Sequence, residues 1–204
     1  EFLSTEVSQV GTQFDGLGHI GIQLGKDGDK SEMHFYNGHT AAEISDAYGL
    51  KKLGAEKLKP LFTRGHLVDI QAVKGRMLDA GEEITVADVR AALQKQNMQE
   101  SVIKPGDAIF FNTGWGSLWM KDNAKYGQSC PGIGVAAAQF LADEEVTVVG
   151  ADNWSVEVNP NPNASLGAPV HQLLLARNGI YLHENLNTAD LARDSVYEFA
   201  YIFV

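Results

Sequence analysis

The sequence predicts an α/β fold: one mixed α/β domain over residues 1–204, with a mixed sheet and flanking helices. Three observations predict it. Several β-rich segments precede the first clear helical pattern, whereas a regular Rossmann chain alternates from the start. Further on, short apolar runs alternate with amphipathic ones. The composition is globular, 44% hydrophobic and 21% charged, and 204 residues suit one domain able to bury a sizeable core.

Taken in order, Phe2 to Ile22 is rich in Val, Thr, Ile and Phe and broken by glycines, which predicts strand, tight turn, strand. Asn37-Gly38 marks a turn, and Thr40 to Leu50 reads as a short helix. Gly65 to Ile70 reads as a buried strand. Thr85 to Gln96 predicts a helix: Thr85 and Asp88 have capping-box spacing, and Val86, Val89, Ala92 and Leu93 share a face. Ala108 to Asn112 is a strand, Val135 to Leu141 a helix, and Val146 to Ala151 an apolar strand ending at Asp152. Asn159 to Ser165 is a Pro/Asn loop of rim or lid type. Val170 to Arg177 is a short helix stopped by Gly179, Ile180 to Leu182 a strand, and Val196 to Val204 a closing strand.

Net charge is −10. That argues against nucleic-acid binding, which needs clustered cations to replace phosphate counterions, and against a polybasic membrane surface. No apolar run approaches a membrane span. A single cysteine, Cys130, forbids an intrachain disulfide. This fits a reducing compartment, so the cytoplasm is the expected location. Glu1 to Ser4 reads as the middle of a strand, which leaves an upstream export signal open.

Three segments concentrate chemistry. Gln13 and Asp15 lie two apart, so on a strand they face the same side, and Gly16 and Gly18 let the chain fold back to bring His19 to them. This is either an oxygen- and nitrogen-ligated metal half-site or a glycine-rich turn capped by Asp15. His171 begins a short helix, and Glu184 just follows the next strand. Helix and strand joined by a short turn run antiparallel, so the two can meet, as metal ligands or as a surface pair. His183 should then point to the opposite side. Asp152, Asn153 and Trp154 end an apolar strand, where α/β folds place ligand contacts; Asp152 is equally suited to capping a turn. Trp115 is a pocket wall or a core residue. Arg64 and Asp69 read as structural, paired with each other or with backbone. His34, His39 and His66 have no obvious partners, and Cys130 has no histidine near it in sequence.

Together these segments resemble the cyclase family of metal-dependent hydrolases, which includes bacterial kynurenine formamidase and isatin hydrolase. The family signature is H-x-G-T-H-x-D-x-P-x-H, matched here by Gln9 to His19. The resemblance continues through Arg64 to Asp69, Pro105-Gly106-Asp107, Thr113-Gly114-Trp115, Pro131-Gly132-Ile133, Gly150-Ala151-Asp152, His171, Asn178-Gly179-Ile180 and Glu184-Asn185-Leu186. It implies a swivelling β/β/α arrangement, a homodimer or homotetramer, and a small-molecule substrate. The resemblance also leads us to expect that the family's opening segment lies outside this sequence. The resemblance also implies that Asp15, His171 and Glu184 are metal ligands and that His19 transfers protons. Gln9 and Gln13 replace two ligand histidines, and Leu17 replaces the proline. A glutamine carbonyl is a hard, neutral donor, weaker than imidazole for zinc. The expected cofactor is therefore a divalent metal, Mn or Zn with Mg as a third option, or none.

The leading expectation is an arylformamidase-like hydrolase cleaving an amide, formamide, lactam or lactone bond in a small, partly aromatic substrate. The ligands would be Gln13, Asp15, His171 and Glu184, with His19 as acid/base and Trp115, Asp152, Asn153 and Trp154 at the substrate. A non-catalytic binder and a metal-free lyase or cyclase on the same scaffold are the alternatives.

Overall fold

The computed structural model describes residues 11–204. Its main sheet has six strands: β1 (Gln13–Asp15), β2 (Leu61–Asp69), β3 (Ala108–Asn112), β4 (Val148–Ala151), β5 (Tyr181–Glu184) and β6 (Glu198–Phe203). Their spatial order is β1-β5-β4-β3-β2-β6. The four central strands are parallel, while β1 pairs with β5 and β6 with β2 in antiparallel fashion. Antiparallel edges on a parallel centre make the mixed sheet that the sequence predicts.

Period-two alternation sends side chains to two unequal faces. Val68, Ile109, Phe111, Val149 and Leu182 join the larger core, packed on the helices through Val89, Leu93, Ala138, Leu141 and Leu174. Leu67, Phe110, Val148 and Tyr201 join a smaller cluster on the other face, with the half-buried Phe14, Phe199 and Phe203. On β1, Phe14 takes the small-cluster face, so Gln13 and Asp15 turn to the helical side. The register sets Gln13 opposite Glu184 and Phe14 opposite His183.

The helix over Val86–Lys95 has the expected capping box between Thr85 and Asp88. The helix expected over Thr40 to Leu50 is shorter. Only Ala41–Ile44 is helical, capped by Thr40 and Glu43. Ser45–Asp46 and Gly49–Leu50 then form a two-stranded hairpin. Its turn is closed by Asp46 Oδ1, which accepts from the Tyr48 N–H, so a local side-chain acceptor competes successfully with helix continuation. Leu61–Asp69 extends the expected strand backwards, and Ile70 already begins a helix, Ile70–Lys74. Pro169–His171 is an α turn that widens into a π-helix over Gln172–Arg177; Gly179, at φ 67°, ends it as expected. Among the described residues, no helix is long and apolar enough to cross a membrane.

Candidate metal centre

The strand register and the helix–turn–strand connection bring four of the expected residues to one place. His171 Nε2 lies 3.4 Å from Glu184 Oε1 and 3.8 Å from Asp15 Oδ2. His19 Nε2 lies 3.8 Å from the same Asp15 oxygen. His19 arrives there through the glycine turn. The His19 N–H donates to the Gly16 carbonyl, and the Gly18 N–H donates to Leu53. A Cβ on Gly18 would sit 2.9 Å from the Leu50 side chain and 3.3 Å from the Leu53 carbonyl, so the turn lies close against that segment. Gln13 joins the group by donating from Nε2 to Glu184 Oε2 at 2.5 Å. Gln9 lies outside the described residues.

Among the described residues, three buried oxygens at this point accept no hydrogen bond: Gln13 Oε1, Asp15 Oδ2 and Glu184 Oε1. Unsatisfied buried polar atoms are rare because each forfeits its hydration. Here two of them, on Asp15 and Glu184, lie beside the His171 imidazole nitrogen, and the third is on Gln13, which bonds Glu184. Asp15, His19 and His171 each offer a donor atom within 4.8 Å of the others. Three oxygens and one or two nitrogens are an ordinary donor set for a divalent cation, so the residues present fit one.

The electrostatics follow from crowding carboxylates in a dry site. Burial, then the neighbouring Glu184, pushes the Asp15 carboxyl up to about 6. Burial likewise raises Glu184. His19 is held below its ordinary value, chiefly by burial, which keeps its ring neutral near pH 7. Burial also works against a charge on His171, but the hydrogen bond to Glu157 and the negative charge of the neighbouring Glu184 outweigh it and lift the imidazole to about 9.

Glu157 is the residue that sequence reasoning missed. Its carboxylate bonds His171 Nδ1 and accepts the Val170 and His171 N–H groups at 3.1 and 3.3 Å. It thereby fixes the ring so that Nε2 faces Asp15 and Glu184, the orienting role a carboxylate commonly plays behind a ligand histidine. The one available signal was an acid between Val156 and Val158, all three buried.

A cleft of about 440 Å³ opens onto His19, His171, Glu184 and Trp154, rimmed by Asn159, Pro160 and Asn161 of the expected loop. The residues expected at the substrate separate into two groups. Trp154 lines the cleft and donates its indole N–H to the Tyr126 carbonyl at 2.7 Å. Trp115 is fully buried and donates to that same carbonyl at 3.2 Å, so it is core beneath the site. Asn153 is also fully buried. Its oxygen accepts the Ser155 and Val156 N–H groups, and its amide donates to Pro131. Asp152 accepts from Thr113 and from the Gly116 N–H. Asn153 and Asp152 thus organise turns. Tyr126 and Trp119 instead join Trp154 around an adjoining cavity of about 330 Å³.

His183 points away, as expected, with Nδ1 at 2.9 Å from the Tyr201 hydroxyl. Arg64 and Asp69 are structural but not paired with each other. Arg64 takes Asp107 and the Val102 carbonyl, and Asp69 takes Asn112 and the Ala72 N–H. His66 has a partner after all, Asp107 at 3.0 Å, and His39 lies 3.6 Å from Glu43.

The family model described as "Putative cyclase" matches residues 3–158. The chain belongs to the cyclase family. A solved structure described as a novel cyclase is 32% identical to this cyclase-family chain. The match covers 92% of this chain and 60% of that one, with a TM-score of 0.77. An isatin hydrolase A from Labrenzia aggregata is 19% identical, over 89% of this chain and 61% of its own, with a TM-score of 0.57. A predicted metal-dependent hydrolase from Bacillus stearothermophilus is 20% identical, over 97% and 68%, with a TM-score of 0.52. The latter two show the shared fold. The cyclase-family chain spans about 60% of the length of the first of these structures. No curated protein matches it.

Proposed function

We propose that this chain is a metal-dependent hydrolase that opens an amide, formamide, lactam or lactone bond in a small, ring-bearing substrate. In this reading Asp15, His171, Glu184 and the Gln13 carbonyl hold a divalent cation, and His19 moves the proton. The observation that carries it is the pair of buried, unpartnered Asp15 and Glu184 oxygens beside His171 Nε2, with the equally unpartnered Gln13 Oε1 on the side chain that bonds Glu184. The hydrolase neighbours in the cyclase fold support the same direction. An oxygen-dominated donor set favours manganese over zinc, with magnesium the next alternative.

A bound divalent cation supplies a water of lowered pKa and polarises a carbonyl. The protein's own work is then positional and protonic. Glu157 holds His171 in one tautomer and orientation. His19, neutral near pH 7 and 33% exposed at the cleft, accepts a proton from the attacking water and returns it to the departing nitrogen or oxygen. Trp154 offers a flat apolar wall for the ring.

The test is metal analysis of the purified protein with turnover of a formanilide, a lactam and an aryl lactone, before and after chelation. The expected result is chelator-sensitive hydrolysis restored best by Mn²⁺. His19→Ala should keep the metal but lose about 100-fold or more in kcat. Absence of both metal and turnover would overturn the reading, as would turnover that survives complete chelation.

A further inference from the structure

A second cavity is larger than the metal cleft. It holds about 520 Å³ and lies where β3, β4 and β5 end, with Asn112, Asp152 and Asn185 among its lining residues. Trp119, Tyr126 and Asn185 also line the 330 Å³ cavity, as do Gln13 and Trp154. The two spaces therefore share an aromatic partition.

The polarity of the larger cavity is set by which atoms are already committed. Every side-chain amide and carboxylate oxygen on its wall accepts a hydrogen bond from the protein. Asn112 Oδ1 accepts from Thr188 at 2.8 Å, Gln71 Oε1 from Asn112 at 3.3 Å, and Asn187 Oδ1 from the Ala189 N–H at 3.3 Å. Asn185 Oδ1 takes the Tyr126 hydroxyl. Asp152 is held by Thr113 and by the Gly116 N–H at 3.3 Å. The amide orientations are not interchangeable. Asn112 Nδ2 also donates to the acceptor-only Asp69 carboxylate at 2.7 Å, which fixes Gln71 with its oxygen toward Asn112. Hydroxyls apart, the side-chain groups left over are donors. Among the described residues, Gln71 Nε2, Asn187 Nδ2, Trp119 Nε1 and Lys121 Nζ make no hydrogen bond to the protein. Lys121 is the cavity's one cation among those residues, in a chain of net charge −10.

We propose that this cavity is a binding site for the carboxylate of a small aromatic acid. Spare N–H donors and one ammonium match an anionic acceptor, and Trp119 and Tyr126 provide the ring contact. The site needs no metal and stands apart from the hydrolase reading.

The test is calorimetric titration of the chelated protein with benzoate and with its neutral analogue benzamide. Benzoate should bind about tenfold tighter than benzamide, and its affinity should fall as salt is added. Lys121→Gln should weaken benzoate about tenfold and leave benzamide unchanged. Asn187→Asp turns a spare donor into a like charge while keeping the oxygen that holds the Ala189 N–H, and it should abolish benzoate binding. Lys121 and Asn187 are both exposed, so these variants should fold. Equal affinity for the two probes would overturn the proposal. So would benzoate binding indifferent to both substitutions, or no benzoate binding at millimolar concentrations.

Discussion

Asp15→Asn should stabilise the metal-free protein and destroy its response to metal. The Asp15 carboxyl is raised from 3.8 to about 6 by burial and by Glu184. At about 1.4 kcal/mol per pH unit, its ionised form costs the fold up to about 3 kcal/mol. The sign is fixed by proton counting. Between pH 3.8 and 6 the folded state holds more protons at this site than the unfolded state, so stability falls as pH rises through that window and stays low above it. An asparagine carries no charge to desolvate, and Asp15 Oδ2 accepts no hydrogen bond that would be lost. In chelator at pH 7.5, the variant should unfold about 1–3 kcal/mol later, about 2–4 °C in Tm per kcal/mol for a chain of this size. Below pH 4 the difference should vanish. Adding Mn²⁺ should reverse the order, because ligand binding to the folded wild type stabilises it by mass action while the variant lacks one ligand. Denaturant titrations at pH 7.5 and 4, with and without Mn²⁺, read all three outcomes. A variant less stable than wild type in chelator at pH 7.5, or a gap independent of pH, would refute the argument.

Metal binding should release protons. His171 is lifted to about 9, so at pH 7 about one proton must leave for each cation bound; calorimetry in buffers of different ionisation enthalpy counts it, and a count near zero would oppose His171 as ligand. Glu157→Gln keeps an oxygen for the Val170 and His171 N–H groups but removes the charge behind the ring; metal affinity should drop about 10- to 100-fold with little change of fold, measured by competition with a chelator. His183 is depressed by burial to about 4, so the unfolded chain binds the extra proton between about 4 and 6.5; its contribution is complete above 6.5 and lost as pH falls toward 4. His183→Phe should therefore flatten that part of the stability curve by about 1–2 kcal/mol, a figure reduced because the ring is only half-buried, and an unchanged curve would assign the acid sensitivity elsewhere.

What the sequence made legible was local periodicity. Gln13 and Asp15 flank Phe14, and alternation alone puts the two polar side chains on one face. His171 and Glu184 lie across a helix, a Gly179 stop and a strand, a connection whose geometry is nearly fixed by its length. Glu157 was illegible because it sits in an irregular stretch beside the non-glycine Val156 at φ 57°. Its route to His171 depends on the Ile133–Glu157 bridge, a contact between segments far apart in sequence. Trp115 illustrates the converse. A tryptophan after a strand suits a wall or a core equally well, and only the packing of Tyr126 and Cys130 over it decides. The Thr40 to Leu50 segment departs from the expected helix because Asp46 forms its own turn, and that choice carries no helical or strand period.

The charge balance of the centre explains how glutamine can stand at position 13. Asp15, Glu157 and Glu184 surround a single buried imidazole, and without a cation the proton on His171 is what offsets them. A second imidazole at position 13 would compete for that proton or force a neighbouring carboxyl to take one. Glutamine avoids both outcomes. Its amide nitrogen binds Glu184 Oε2, which restrains that carboxylate, and its oxygen remains unpartnered at the cluster. The exchange trades a strong nitrogen donor for an oriented, neutral oxygen. It leaves a centre whose excess of carboxylate over imidazole is matched by a hard divalent ion better than by a proton.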